Sequence, residues 1–112
     1  MDGSAQDICT WLDANRDKQL TIEKTEQRDV DHIEMQIDDI GLLDYAETAD
    51  EYLYPMAIIL KGAGSIATQD GRTEQLPEES YEIPLSKDFQ CEQTENGVAI
   101  RTDRAQYTIS VH

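Results

Sequence analysis

The sequence predicts a mainly β protein, an antiparallel sandwich or barrel with one short N-terminal helix. About six or seven short segments have the residue pattern of strands, and they recur at intervals of about ten residues. No helical periodicity separates them, which argues against a parallel sheet. A chain of 112 residues fits one domain. We therefore expect a single domain over 1–112, with a helical lead and polar loop over 1–18 and antiparallel strands over 19–112.

The helix is predicted over about residues 4–14. Ser4 is a good N-cap residue, and Asp7 lies where a carboxylate interacts favourably with the helix dipole. Ile8, Trp11 and Leu12 then recur at helical spacing. The pattern indicates one amphipathic helix with an apolar face toward a core.

After the helix, the apolar residues recur every second position. Ile33, Met35 and Ile37 alternate with polar residues, which is typical of a half-buried strand. The apolar run at 54–60 predicts a second strand region, and it is interrupted or bent at Pro55 because proline donates no ladder hydrogen bond. Both segments favour strands over helices.

Glycines mark the turns in the second half of the chain. Gly62 and Gly64 permit a bend or bulge, and Asp70-Gly71 is a hairpin signal. Residues 81–85 alternate again as a strand.

The end of the chain predicts a hairpin and a last strand. Asn96-Gly97 separates the segments 89–94 and 98–102, which predicts a two-residue turn at this dipeptide. Residues 107–111 alternate as the final strand.

The net charge limits the classes of partner. The chain has 24 Asp and Glu residues against 9 Lys and Arg, a formal net charge of -15. Nucleic acids and anionic lipid surfaces attract cations, so we expect neither as a partner. The acidic surface either keeps the protein soluble or docks on a basic protein partner.

The chain shows no targeting signal. No apolar run approaches the roughly 18 residues that cross a bilayer, and the N-terminus lacks the basic and apolar parts of a signal peptide. We expect a cytoplasmic location. The spacing of Cys9 and Cys91 gives no support for a disulfide, and two reduced thiols are the expectation.

Residues 13–24, "DANRDKQLTIEK", resemble part of an EF-hand calcium loop. The loop would supply oxygen ligands from five residues: Asp13, Asn15, Asp17, Gln19 and Glu23. However, Lys18 occupies the position of the glycine that makes the sharp turn, and Lys24 occupies that of the bidentate glutamate. A polar loop that follows the helix is the favoured interpretation, and calcium binding is an alternative.

A second resemblance covers residues 49–85, "ADEYLYPMAIILKGAGSIATQDGRTEQLPEESYEIPL", which is similar to the centre of a cupin barrel. The similarity extends to the cupin-like C-terminal domains of mannose-6-phosphate isomerases. The corresponding pieces are Leu60 to Ile66, Asp70-Gly71, Leu76-Pro77 and Ile83-Pro84. The resemblance implies a small β barrel.

The metal ligands of cupins are missing from this segment. Metal-binding cupins use an H-x-H pair, a following glutamate and a later histidine. The chain has only His32 and His112, and Glu51 has no histidines before it. We therefore expect no metal or other cofactor.

The sequence shows no assembled catalytic set, so a non-enzymatic binding module that uses a protein partner or a small ligand is the leading hypothesis. Packing in the core and at its rim is the favoured interpretation of the tyrosines, and a tyrosine-rich contact surface is the alternative that a binding module would use, since tyrosine combines an apolar ring with a polar tip. Its residues would be Tyr45, Glu51, Tyr52, Tyr54 and Tyr81. The alternatives are a cupin-type sugar-handling or small-molecule enzyme domain, and a calcium-binding protein.

Overall fold

The protein is mainly β with one short N-terminal helix, as the sequence predicts. The computed structural model describes residues 5–44, 56–68, 71–86 and 88–111. The elements in these ranges are α1 (Ala5–Ala14), β1 (Gln19–Glu26), β2 (Asp29–Gln36), β3 (Asp39–Asp44), β4 (Met56–Lys61), β5 (Gly64–Ala67), β6 (Thr73–Gln75), a 3-10 turn (Pro77–Glu79), β7 (Ser80–Leu85), β8 (Gln90–Gln93), β9 (Gly97–Arg101) and β10 (Gln106–Val111).

The described strands form two antiparallel sheets. The large sheet has the order β6-β5-β2-β1-β10-β9-β8, and the small sheet has the order β3-β4-β7. The two sheets are arranged as a sandwich, and the strands of the described ranges do not close into a barrel. Because β1 pairs with β2 on one side and β10 on the other, the first and last strands meet in the middle of the large sheet.

Helix α1 packs its apolar face into the core. Ile8 and Leu12 are 1% and 0% exposed. The observed helix, Ala5–Ala14, confirms the predicted span from residue 5 onward, and Ser4 lies outside the described residues.

A turn after α1 leads directly into the sheet. The Asn15 N–H donates to the Leu12 carbonyl at 3.0 Å, and the Asn15 side-chain amide donates to the Trp11 carbonyl at 2.7 Å. Asp17 adopts a left-handed conformation (φ 67°), and its N–H donates to the Ile37 carbonyl at 3.2 Å. Strand β1 then begins at Gln19, where the β region was predicted to begin.

The core lies between the two sheets and beneath α1. The predicted alternation in β2 is confirmed, since Ile33 and Met35 are 0% and 1% exposed. The largest fully buried side chains come from the helix and from both sheets. They are Ile8, Leu12, Leu20, Ile22, Ile33, Met35, Ile37, Ile58, Leu60, Ile83, Leu85 and Ile100.

The hairpin between β5 and β6 falls where the sequence predicts it. Ala67 pairs with Thr73, and Gly71 has a positive φ of 88° that favours glycine. Asp70, the first residue of the predicted turn signal, lies outside the described residues.

The hairpin between β8 and β9 is present, but its turn lies one residue earlier than the sequence predicts. The Thr94 N–H donates to the Gly97 carbonyl at 2.8 Å, so the two turn residues are Glu95 and Asn96. Gly97 is the first residue of β9 and is buried.

Gly97 is explained by the close approach of β10 rather than by the turn. A Cβ atom at this position would overlap the carbonyl oxygen of Ile109. The glycine therefore permits tight contact between two neighbouring strands.

Candidate functional site

A cavity lies between helix α1 and the β8–β9 hairpin, and we call it the groove. Its volume is about 580 Å³, within the range typical of small-molecule sites. The helix contributes Asp7, Ile8, Thr10, Trp11 and Ala14, and the hairpin contributes Cys91, Glu92, Gln93 and Val98.

The helix side of the groove follows from helical spacing. Ile8 and Trp11 are three residues apart, and Ala14 follows three residues later, so all three lie on one face. Ile8 is buried, Trp11 is half-buried and Ala14 is exposed. Trp11 is the sole tryptophan of the chain, so its fluorescence reports on this part of the molecule.

The hairpin side combines a buried apolar wall with exposed polar residues. Cys91 and Val98 are 7% and 5% exposed and belong to the hydrophobic core. Glu92 and Gln93 are exposed at the rim. The groove thus has an apolar floor and a polar edge, which is the usual composition of a binding site.

The formal charges of the groove are negative. Its nine lining residues include Asp7 and Glu92 but no Lys or Arg. The Glu92 carboxylate has no ion-pair or hydrogen-bond partner among the residues that the structure describes. The charge of this carboxylate is therefore available to a bound molecule.

A smaller cleft of about 280 Å³ adjoins the groove and shares Cys91 and Glu92 with it. Its remaining lining residues are Gln90, Ala99, Ile100, Arg101 and Gln106. We favour the groove as the candidate site because it is larger and includes the aromatic side chain of Trp11.

Cys9 and Cys91 form no disulfide, as the sequence indicates. Burial raises the pKa of the Cys9 thiol above its ordinary value, which lowers its thiolate fraction and its reactivity. Cys91 lies in the wall of the groove.

The predicted tyrosine surface can be followed only at Tyr81, because Tyr45, Glu51, Tyr52 and Tyr54 lie outside the described residues. Tyr81 is half-buried on β7 and packs against the core, and it is not a lining residue of the groove. Burial raises its pKa above the ordinary value, and nearby Tyr107 and Asp31 raise it further.

Two of the predicted calcium ligands interact with cationic side chains. Asp13 Oδ1 is 2.6 Å from Arg16 Nε, and Asn15 Oδ1 accepts a hydrogen bond from Lys18 Nζ at 3.4 Å. Both oxygens are therefore in contact with positive charge.

The other predicted ligands are not gathered around the same point. Gln19 opens strand β1, and Glu23 lies four residues farther along it, about 13 Å away. The Glu23 carboxylate is 3.7 Å from His32 Nδ1. Asp17 adopts the left-handed conformation in the turn before β1. Among the described residues, no group of three or more His, Cys, Asp or Glu side chains is placed to hold a metal ion.

A third cavity, which we call the charged mouth, has a volume of about 130 Å³. It is lined by Lys24, Glu26, Pro84, Thr102, Arg104, Ala105 and Tyr107. Lys24 Nζ and Arg104 contact the two carboxylate oxygens of Glu26 at 3.5 and 3.6 Å.

The sequence-based prediction missed the groove. The sequence pattern places Trp11 and Ile8 on the apolar face of a helix, but it indicates only strands for Cys91 and Val98. The two sets are separated by about 80 residues, and no local pattern shows that they meet. The single tryptophan on the apolar face of the helix was the available signal.

Within the described residues, no helix is long and apolar enough to span a membrane.

The fold and the groove define a class: a small antiparallel β-sandwich protein with a groove bounded by its N-terminal helix and a C-terminal hairpin. The chain belongs to the YmzB-like protein family, whose model matches residues 1–112. It is 31% identical over 110 residues to the uncharacterized protein YmzB of Bacillus subtilis (strain 168), and the match covers 93% of this chain and 92% of that one. No solved structure matches the chain.

Proposed function

We propose that the protein is a small non-enzymatic binding module whose groove accepts apolar groups of a protein partner. The observation that carries this proposal is the groove itself, an open cavity of about 580 Å³ that includes the sole tryptophan and has a polar rim. Tryptophan is enriched among the residues that dominate binding energy, because it buries a large rigid surface.

The groove supports a binding reaction of modest affinity. Burying about 100 Å² of apolar surface contributes roughly 2.5 kcal/mol. Association also costs translational and rotational freedom, so contacts at the rim are needed as well. We therefore place part of the affinity in the exposed residues Glu92 and Gln93 at the groove edge.

The lining residues favour binding over catalysis. Their ionisable groups are two carboxylates and the Cys91 thiol, and neither His nor Lys is among them. A cysteine nucleophile is ordinarily activated by such a neighbour. A cytoplasmic location agrees with the proposal, since cysteines that form no disulfide are typical of a reducing compartment.

The test uses Trp11 fluorescence and Nile red, an uncharged apolar probe. We expect Nile red to change the Trp11 emission and to bind with a saturating curve. In A14F, an aromatic ring placed at an exposed position of the groove should weaken binding about tenfold by filling the space.

The matched control is Q6F, which adds the same ring to the same helix at an exposed position outside the groove. Its affinity for Nile red should equal that of the unmodified protein. Equal binding by A14F and the unmodified protein would place the probe elsewhere and refute the assignment of the groove.

A further inference from the structure

We infer that the natural occupant of the groove is a short extended protein segment that carries an apolar side chain flanked by Lys or Arg. This inference rests on the proposed function and specifies the chemistry of the partner.

The two elements that border the groove are long enough to lie alongside a segment of about four residues. Helix α1 has 10 residues and is about 15 Å long. Strand β8 has four residues and is about 13 Å long. Four extended residues of a partner span about the same distance, so one or two apolar side chains can reach the floor between Trp11 and Val98.

The charge of the groove selects cations. Glu92 is exposed at the rim and has no ion-pair partner among the described residues, and the lining set contains no Lys or Arg. The whole chain adds a net charge of -15, which repels acidic segments and steers basic ones toward the surface. In such a segment, the apolar side chain packs on the apolar floor of the groove, and the neighbouring Lys or Arg pairs with the Glu92 carboxylate at the rim.

Three peptides of one design test this inference: acetyl-KLLK-amide, acetyl-QLLQ-amide and acetyl-ELLE-amide. They share the same apolar pair and differ only in flanking charge. We expect the basic peptide to bind most tightly, as measured by Trp11 fluorescence and by the NMR signal of the Trp11 indole. Its affinity should fall as salt rises, while that of the neutral peptide should not, because exposed charges are screened beyond about 8 to 10 Å.

A pair of matched variants locates the charge effect. E92Q should weaken binding of the basic peptide about threefold and should weaken binding of the neutral peptide much less, because only the basic peptide loses an opposite charge. E74Q removes the same charge from an exposed residue of β6, at the opposite edge of the large sheet. Six strand spacings separate the two edges, roughly 29 Å, so E74Q should have no effect on either peptide.

The outcomes separate this inference from the proposed function. Equal affinity for the basic and neutral peptides, with no effect of E92Q, would overturn the inference while Nile red binding still supports the groove. If none of the three peptides binds in the groove, the inference is overturned. If Nile red does not bind in the groove either, the proposed function is refuted too. Spermine binding as tightly as acetyl-KLLK-amide would also overturn it, because spermine carries charge without the apolar side chains.

Discussion

The groove and the charged mouth differ in whether their charged side chains form ion pairs within the chain. In the charged mouth, Glu26 lies within 3.5 to 3.6 Å of both Lys24 and Arg104, so each charge has a partner within the chain. In the groove, Glu92 has no such partner among the described residues. The larger cavity is thus the one with an uncompensated charge.

The difference follows from what each cavity is built from. Lys24 extends over the ring of Tyr107, 5.9 Å from its centroid, so its aliphatic part covers apolar surface while its ammonium group meets Glu26. Lys24 thus contacts both a core aromatic ring and a carboxylate of its own strand. The groove instead leaves the half-buried Trp11 beside the exposed Glu92. The charges of the charged mouth are thus paired within the chain, whereas the exposed Glu92 carboxylate remains open to a bound molecule.

The largest effect is expected from adding one methyl group to the hairpin of the groove. G97A places a Cβ against the Ile109 carbonyl oxygen, so β9 and β10 must move apart. We expect the free energy of unfolding to fall by about 3 kcal/mol or more, as measured by urea denaturation.

The control for this change is G71A in the β5–β6 hairpin. A Cβ at Gly71 has no neighbour within 4 Å, and the cost comes only from its positive φ of 88°. A loss of about 1 kcal/mol is expected there. If both variants lost the same stability, the close strand contact at Gly97 would not be the reason for its glycine.

These two glycines also show how far the sequence predicts the fold. Alternation within single segments predicted the β class, and it predicted the buried residues of β2 and β10. The turn at Glu95-Asn96 was misplaced because Asn-Gly is a strong local signal, while the requirement for Gly97 arises from a strand that is distant in sequence. Strand β3 was not predicted, since Leu42 and Leu43 are adjacent and both about 40% exposed, which conceals any alternation.

The candidate site was less predictable than the fold. The helix was found from its spacing, but nothing local indicates that Trp11 would lie beside Val98. The sequence favoured packing in the core and at its rim for the tyrosines, and Tyr81 lies against the core. The calcium hypothesis used the spacing of oxygen ligands, but the strand that begins at Gln19 carries Glu23 away from them.

An effect of intermediate size on the free energy of unfolding is expected from Tyr81 at alkaline pH. Its raised pKa means that the unfolded chain loses this proton first, beginning near pH 10, while the folded protein retains it. The contribution of Tyr81 to stability is therefore complete below pH 10 and is lost as the pH rises above it. The slope is at most about 1.4 kcal/mol per pH unit. Y81F should show a shallower decline above pH 10 in urea denaturation.

The variant C9S separates the contribution of Tyr81 to the pH dependence from that of the Cys9 thiol. Burial also raises the pKa of the Cys9 thiol, and an ordinary thiol ionises at a lower pH than an ordinary tyrosine, so the contribution of Cys9 to stability is lost from a lower pH. C9S should remove that earlier part and keep the decline above pH 10. A Y81F profile that matched the unmodified protein above pH 10 would show that Tyr81 ionises as readily in the folded state as in the unfolded state.

The smallest effect on stability is expected from E26Q in the charged mouth. Together with E92Q in the groove, it makes the same chemical change in each of the two regions. E26Q removes a carboxylate that holds two cations, and Glu26 is about one third exposed. Exposed ion pairs contribute little, so the free energy of unfolding should fall by less than about 1 kcal/mol. The affinity for acetyl-KLLK-amide should remain unchanged, in contrast to the weakening by E92Q. Both variants change the net charge equally, so a common effect on peptide affinity would mean that the total charge attracts the peptide. An effect confined to E92Q would place the attraction at the rim of the groove, where the carboxylate has no partner of its own.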